Sequence, residues 1–404
     1  MTFRHGTAYA TLAALALLLP ACSPDEGDGE EGGGTPSASA PSASAPPAPG
    51  GEPPPEESAS APVASVAPAE GSAEVVGTVA EDLDAPWGLV ALPDGDLLVG
   101  SRDGGAVRRI AADGGGVTDA GEIPGVAGGA GEGGLLGLAP APDFPDSGRL
   151  YAYYTADDDN RISMFRYDAS APAGEQLTPD GDLVTGIPRG DRIHHGGALA
   201  FGPDGMLWAA TGDTDNSGRL SQDERSLAGK ILRIDPATGG APPDNPDPDS
   251  LVYSLGHRNV QGLAWDSEGA LWATELGDDT WDELNLIEPG GNYGWPEQEG
   301  RGGAAEGFVD PVEQWPPAEA SPSGMAFQGG SLWLAGLRGE RLWRVPLDGS
   351  EPVAEPGAFL EGAYGRLRTV LPVGDDELLL VTNETDGRGS PEDGDDRVLR
   401  VRVS

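Results

Sequence analysis

The chain carries a few short segments that pair chemically able side chains with glycines that bend the backbone. The sharpest is Arg192-Ile193-His194-His195-Gly196-Gly197, directly before the apolar stretch from Ala198 to Phe201. An imidazole titrates near neutral pH and can accept a proton from a hydroxyl, and two glycines would let a bulky ligand approach the backbone. A pair of turn histidines that only make hydrogen bonds is the plainer reading. In Gly256-His257-Arg258-Asn259-Val260-Gln261-Gly262, a planar guanidinium stands beside an amide and could grip a carboxylate or quinone oxygen. The same run serves equally well as a buried network fixing one sheet to the next. Arg366-Leu367-Arg368 puts two guanidiniums on one face of a strand, because side chains alternate with period two; such pairs bind anions or line solvated edges. From Thr274 to Asn285, carboxylates surround a Gly turn, and carboxylates with backbone carbonyls suit a hard cation such as calcium. With 67 acidic residues, acidic loops also arise from composition alone. Gly229-Lys230 is not a phosphate loop, since Ile231 stands where Ser or Thr must contact magnesium.

Composition narrows the chemistry further. Lys and Arg number 24 against 67 Asp and Glu in 404 residues, a net charge of −43, which repels phosphate backbones and excludes nucleic acid as a partner. One Cys and 4 His leave neither a thiolate-based zinc or iron–sulfur site nor a disulfide framework. Any chemistry must use oxygen ligands, imidazole or an organic cofactor.

The elements that position these residues must be strands. Gly at 64 and Pro at 38 are too frequent for a mainly helical protein and suit short strands joined by turns. A turn of Pro, Asp and Gly followed by an alternating apolar strand runs from Leu92 to Gly100, and recurs from Phe201 to Trp208 and from Trp265 to Trp272. Weaker copies run from Phe144 to Tyr151, Phe327 to Trp333 and Leu371 to Leu378. Six copies at this spacing predict an all-β, six-bladed propeller over 74–404, each blade needing on the order of 50 residues. Segments such as Val107 to Ile110, Ile231 to Ile234, Leu342 to Val345 and Val398 to Val401 read as outer strands of these blades.

Ahead of this domain, Arg4 and His5 precede a charge-free apolar stretch that ends at Cys22, the layout of a secretory signal. Leu19-Pro20-Ala21-Cys22 resembles a bacterial lipobox, which makes 1–22 a lipoprotein signal with Cys22 as the acylated residue. Residues 23–73 are Pro, Ala, Ser, Gly and Glu with almost no large apolar side chain, the composition of a disordered tether. The expected location is the extracellular face of a bacterial cell membrane, held through the lipid anchor only.

In order along the chain, Pro86-Trp87-Gly88-Leu89, Gly131 to Leu138 with Asp143-Phe144, His194 to Gly197, Leu227 to Ile234, Gly256 to Asn259, Gly290 to Pro296 and Arg366 to Arg368 resemble the landmarks of the glucose/sorbosone dehydrogenase family. These are soluble sugar dehydrogenases that depend on pyrroloquinoline quinone (PQQ), and they are six-bladed propellers. The resemblance spans roughly Leu83 to Arg400 and leaves out the tether. It implies His194 as catalytic base, with His195 at a neighbouring variable position. It implies Arg258 and Asn259 on the quinone, and Arg366 and Arg368 on the cofactor's carboxylates. It also implies the carbonyls of Gly277 and Asp278 on a calcium that bridges to the cofactor, Glu283 and Tyr293 on a second, structural calcium, and Trp315 over the sugar. Three cofactor-side positions depart from the pattern. Glu132 replaces a usual Gln, Ala198 a common Arg, and Arg338 a cofactor-binding Lys, which keeps charge but not geometry. A Glu facing an anionic cofactor repels it unless protonated or paired. The implied reaction is oxidation of an aldose's anomeric hydroxyl to a lactone, with an external electron acceptor restoring the cofactor. A non-catalytic cell-surface binding propeller and a calcium-dependent lactonase are the alternative readings.

Overall fold

Each repeated turn has a local cause. In the first, third and fourth copies an aspartate folds back on its own turn: Asp94, Asp204 and Asp266 accept from the amides of Asp96, Met206 and Glu268 at 3.1, 3.0 and 2.9 Å. The glycine that follows is left-handed, with φ of 89° at Gly95, 77° at Gly205 and 83° at Gly269. In the computed structural model, which describes residues 67–112, 116–129, 131–215 and 218–404, all six turns join the innermost strand of a blade to its second strand. Cys22 and the signal segment lie outside the described residues.

The architecture is the predicted six-bladed β-propeller. Blade 1 comprises Pro86–Ala91, Leu97–Ser101, Ala106–Ile110 and Val117–Glu122. Blade 2 runs from Leu135–Pro140 to Leu177–Ile187, blade 3 from Leu199–Phe201 to Val252–Leu255, and blade 4 from Val260–Trp265 to Glu313–Trp315. Blade 5 starts at Pro322–Gln328, and two short strands, Glu351–Pro352 and Gly357–Phe359, share its outer edge. Blade 6 takes Leu367–Val373, Glu377–Thr382 and Val398–Val403 from the C-terminus and its outermost strand, Ala73–Ala80, from the other end of the domain. That pairing runs from Ala73 opposite Val403 to Ala80 opposite Val398 and closes the ring.

An apolar core fills each seam between blades. Leu98 and Leu150 meet between blades 1 and 2, Trp272 and Leu332 between 4 and 5, and Val99 and Val381 between 6 and 1. The Arg-Ile type segments prove to be third strands, not outer ones. Lys230–Ile234 is buried along its whole length because strands flank it on both edges and neighbouring blades cover both faces. The folded region also begins before the predicted boundary at 73. Ala67 is buried and donates to the Leu347 carbonyl at 3.2 Å, while the Arg344 guanidinium donates to the Pro68 and Ala69 carbonyls at 2.8 and 3.3 Å.

The innermost strands surround an apolar channel of about 480 Å³, lined by Trp87, Leu138, Leu199, Leu263, Met325, Val370 and their neighbours. Antiparallel order sets the start of every inner strand and the loops joining second to third strands on one face. The chemically able residues collect on that face. Closure predicts a contrast on blade 6: Leu380→Ala, in a fully buried position, should cost about 2–5 kcal/mol. Val76→Ala, 38% exposed on the closing strand, should stay within about 0.5 kcal/mol by denaturant titration.

Candidate active site

The turn before the inner strand of blade 3 is held through nearly all of its amides. Asp215 accepts from the N–H groups of Asp191, Arg192 and Ile193 at 2.5, 3.1 and 2.7 Å. Glu132 Oε2 accepts from His194 N–H at 2.9 Å, and Asn259 Oδ1 from Gly196 N–H at 3.0 Å. His194 itself is left-handed at φ 60°, a strained conformation for a non-glycine residue that surrounding contacts must sustain. Its Nδ1 lies 2.7 Å from Asp213 Oδ1, and Asp213 Oδ2 accepts from the Trp295 indole N–H at 2.8 Å. A carboxylate only accepts, so Nδ1 is the donating nitrogen, and in the neutral ring Nε2 is the one that carries the lone pair.

The two glycines of this turn answer to the fold more than to a ligand. A Cβ on Gly196 would stand 2.5 Å from the Ala210 carbonyl, and one on Gly197 2.8 Å from Leu136 Cβ in blade 2. His195 points away from His194's role. It is buried, with Nδ1 at 3.1 Å from Asn160 Oδ1 and 3.3 Å from Thr155 Oγ1, and burial pushes its imidazole down to about 4.

Arg258 and Asn259 precede the inner strand of blade 4. The Arg258 guanidinium lies 5.3 Å from the Trp295 ring centroid and donates to the Gly277 carbonyl at 2.5 Å and to Asp278 Oδ1 at 2.8 Å. Its backbone N–H is held by Glu275, which also accepts from the buried His257 at 2.8 Å; His257 in turn meets Ser254 at 2.9 Å. The run is therefore both a structural network and a presenting device. Asn259 is fully buried, and its Nδ2 has no hydrogen-bond partner among the described residues. An orphaned buried donor beside His194's turn has hydrogen-bonding capacity that the described residues do not use.

Blade 6 supplies the arginines. Arg366 and Arg368 both reach Asp386 Oδ2, at 3.0 and 3.4 Å, and Arg102 donates to the Asp386 carbonyl at 3.1 Å. Arg368 also donates to Gln261 and to Asn383, and its guanidinium carbon lies 5.8 Å from the Trp87 ring centroid. Burial pulls it down to about 9, against Asp386, so it remains a cation at neutral pH. These two arginines are buried and networked, so their loss costs stability as well as charge. Burial alone would raise the Glu132 carboxyl, but Arg388 at 2.8 Å, the His194 amide and Arg368 hold it below the ordinary carboxylate range. Glu132 is thus paired and ionised.

The remaining predicted residues are placed as follows. Glu283 and Tyr293 line a small cavity with Glu275 and Glu299, with room for about one water-sized sphere. Burial, with Glu275 beside it, pushes Glu283 up to about 8. The Tyr293 hydroxyl is saturated, donating to the Leu286 carbonyl at 2.6 Å and accepting from Glu288 N–H at 2.9 Å. Among the described residues no three His, Cys, Asp or Glu side chains converge as a metal site, so any ion needs backbone carbonyls. Trp315 is buried against Trp343, ring centroids 5.4 Å apart, in the core between blades 4 and 5. Arg338 is exposed on the loop joining the second and third strands of blade 5. Sequence reading passed over Asp213, Asp215, Trp295, Asp386 and Arg388. The signal available for the first was Gly212-Asp213 directly after the buried strand Leu207–Ala210, where Gly212 is forced by the His194 carbonyl 2.0 Å from its virtual Cβ.

A six-bladed propeller with an imidazole–carboxylate pair beside buried arginines defines the class of protein, and comparison with known proteins narrows it. Residues 83–391 match the model of the family described as glucose/sorbosone dehydrogenase, and the chain belongs to that family. It is similar to aldose sugar dehydrogenase YliI of Escherichia coli, 30% identical over 341 residues that cover 77% of this chain and 91% of the relative. Among solved structures it is similar to the PQQ-bound form of an aldose sugar dehydrogenase from Streptomyces coelicolor, at 57% identity and a TM-score of 0.81, covering 84% of this chain and 100% of that one. A putative glucose dehydrogenase from Thermus thermophilus is 40% identical at a TM-score of 0.73, covering 82% of this chain and 100% of that one.

The buried neutral His195 makes a pH prediction. Its folded value of about 4 lies below the ordinary 6.5, so the unfolded chain binds its proton first, and stability is lost as pH falls from about 6.5 towards 4. In His195→Asn that part of the loss, at most about 3 kcal/mol, should vanish from the difference between the two proteins' denaturation curves.

Proposed function

We propose that the chain oxidises the anomeric hydroxyl of aldose sugars to lactones with PQQ as hydride acceptor. The observation that carries this reading is the convergence of His194–Asp213, the orphaned Asn259 amide and the Arg366–Arg368 pair at one end of the channel. The donor set fits the cofactor. Two guanidiniums share one oxygen of Asp386, which leaves positive charge for an anion's carboxylates, and the Asn259 amide offers an N–H group to a quinone oxygen. When bound, PQQ supplies a two-electron acceptor for the hydride leaving the sugar's anomeric carbon.

His194 Nε2 takes the proton from the anomeric hydroxyl as the carbon–oxygen double bond forms. Asp213 fixes the tautomer and stabilises the imidazolium that results, and Trp295 keeps the Asp213 carboxylate in line. Burial of His194, 4% exposed, limits competition from water. A sugar subsite on Trp315 would require its ring to leave the Trp343 packing, whereas the half-buried Trp295 already stands beside Asp213. Arg338, exposed on the same face, would act at the cofactor's rim in place of Lys.

Calcium belongs to this reading at two positions that differ in fit. At Gly277 and Asp278, the Arg258 guanidinium already occupies the Gly277 carbonyl and the Asp278 carboxylate. A second cation does not fit that arrangement, and no step of the mechanism runs through it. At Glu283 the oxygen-only chemistry does fit: an ion there would be held by the Glu283 carboxylate and, because the phenol is saturated, by the carbonyl of Tyr293. We further propose that Cys22 is acylated and holds the domain at the extracellular face of the membrane, a reading supported by the lipobox-like Leu19 to Cys22 and the tether composition.

The decisive experiment adds PQQ and calcium to purified apo-protein and follows aldose-dependent dye reduction; no gain over the apo-protein would overturn the reading. His194→Ala should lower kcat by roughly 10²- to 10⁴-fold with PQQ affinity nearly unchanged. His195→Ala should act mainly through stability, because its ring contacts Thr155 and Asn160 and not the proposed substrate position. Calcium at a hundredfold excess over its Kd should stabilise the wild type by about 2.7 kcal/mol in thermal unfolding. Chelation should remove that gain, and Glu283→Gln should lack it.

A further inference from the structure

Glu132 stands where the family pattern has Gln, yet it is neither protonated nor unpaired. Its Oε2 braces the His194 amide at 2.9 Å, and its Oε1 meets Arg388 Nη2 at 2.8 Å. Arg388 belongs to the loop between Glu377–Thr382 and Val398–Val403 of blade 6, far along the chain from both. Two residues earlier on that loop, Asp386 holds Arg366 and Arg368, and its Oδ1 accepts from the Arg388 N–H at 2.9 Å. The loop is fixed to the blade: Asp396 accepts from Thr382, Glu384 and Thr385, and Thr385 Oγ1 accepts from Ala85 N–H at 2.7 Å. One rigid loop therefore ends in two opposite charges with different tasks. The Asp386 carboxylate aligns the arginine pair, and the Arg388 guanidinium occupies Glu132, a second carboxylate whose charge acts on Arg368.

We infer that Arg388 is a positioning residue, acting through Glu132 on the His194 turn and on the arginines of the proposed PQQ site. The inference rests on the proposed function, since it concerns how that cofactor is admitted. With Arg388 in place, both Glu132 oxygens are engaged, one by the Arg388 guanidinium and the other by His194 N–H. Without it, an ionised carboxylate is left beside Arg368 and competes with the anionic cofactor for that guanidinium, while its grip on the turn loosens. A Gln at 132 can accept from the same amide through its carbonyl oxygen and needs no counter-charge, so the two positions should be coupled. Arg388 compensates for the departure at Glu132.

The test is a double-mutant cycle on the full-length protein with Arg388→Ala, Glu132→Gln and both together, plus Arg388→Lys. PQQ affinity is read by calorimetry, kcat with a saturating aldose, and integrity by thermal unfolding of the apo-protein. Arg388 is half-exposed, with 53% of its side chain accessible, and Glu132→Gln is isosteric, so all four variants should fold. Arg388→Ala should weaken PQQ binding roughly tenfold or more and lower kcat, and Arg388→Lys should recover part of both. Glu132→Gln sets its own reference affinity, and Arg388→Ala placed on it should change that PQQ affinity by less than about twofold. Equal losses from Arg388→Ala in the two backgrounds, with PQQ bound by the wild type, would overturn this inference alone. A wild type that takes up no PQQ would overturn the proposed function and the inference together.

Discussion

Everything in this molecule depends on closing a ring. A single four-stranded blade has two faces and cannot bury either by itself, so each must find a neighbour on both sides. Six apolar seams satisfy that need only if the last blade also meets the first. The pairing of Ala73–Ala80 with Val398–Val403 fastens the two ends of the domain together across more than three hundred residues of sequence, and the Val99–Val381 seam packs behind it. Closure also brings Arg366, Arg368 and Arg388, at the end of the chain, against Trp87, Arg102 and Glu132 near its start. The site exists because the ring is shut.

Within that frame, the acidic character of the chain turns out to be constructive near the site. The net charge of −43 describes the whole chain, but the carboxylates closest to His194 are consumed in holding other groups. Asp215 gathers three successive amides, Glu132 a fourth, and Asp213 orients the ring itself. A left-handed histidine is costly, on the order of 1–3 kcal/mol, and these bonds to charged acceptors supply the compensation. Asp386 does the same for the Arg368 guanidinium, which burial would otherwise disfavour as a cation, and it pairs with Arg366 beside it. An anion site is thereby built inside an anionic protein, because each local carboxylate is already engaged.

How much of this was legible in the sequence follows from how local each signal is. The Pro-Asp-Gly turns encode themselves, through an aspartate bonding two residues on and a glycine at positive φ, so the blade count could be read directly. His194, Arg258, Asn259 and the Arg366–Arg368 pair stand at inner-strand starts, next to the glycines that mark those starts, and were legible for the same reason. Asp213, Trp295 and Arg388 were not, because their partners lie 19, 82 and 256 residues away and only closure brings them together. The Arg-Ile segments were read one strand too far out: alternation marks a strand but does not say which neighbours cover its second face. The glycines of the His194 turn were assigned to a ligand, whereas the Ala210 carbonyl and Leu136 claim the space.

The entry of the chain into the domain completes the geometry. Ala67 packs beside Gly330, in the turn joining the first two strands of blade 5, and Ser72 exchanges backbone bonds with Ser404 at the end of the last strand. Both positions lie on the face opposite the starts of the inner strands, where the His194 turn and the arginines collect. Arg344 grips the Pro68 and Ala69 carbonyls there, so the chain is fixed to blade 5 before it reaches the closing strand. Residue 67 therefore stands at the end of the propeller away from the His194 turn and the arginines. The bonds that hold His194 in its strained conformation lie at the other end of the propeller from the Ser72–Ser404 pairing that shuts the ring.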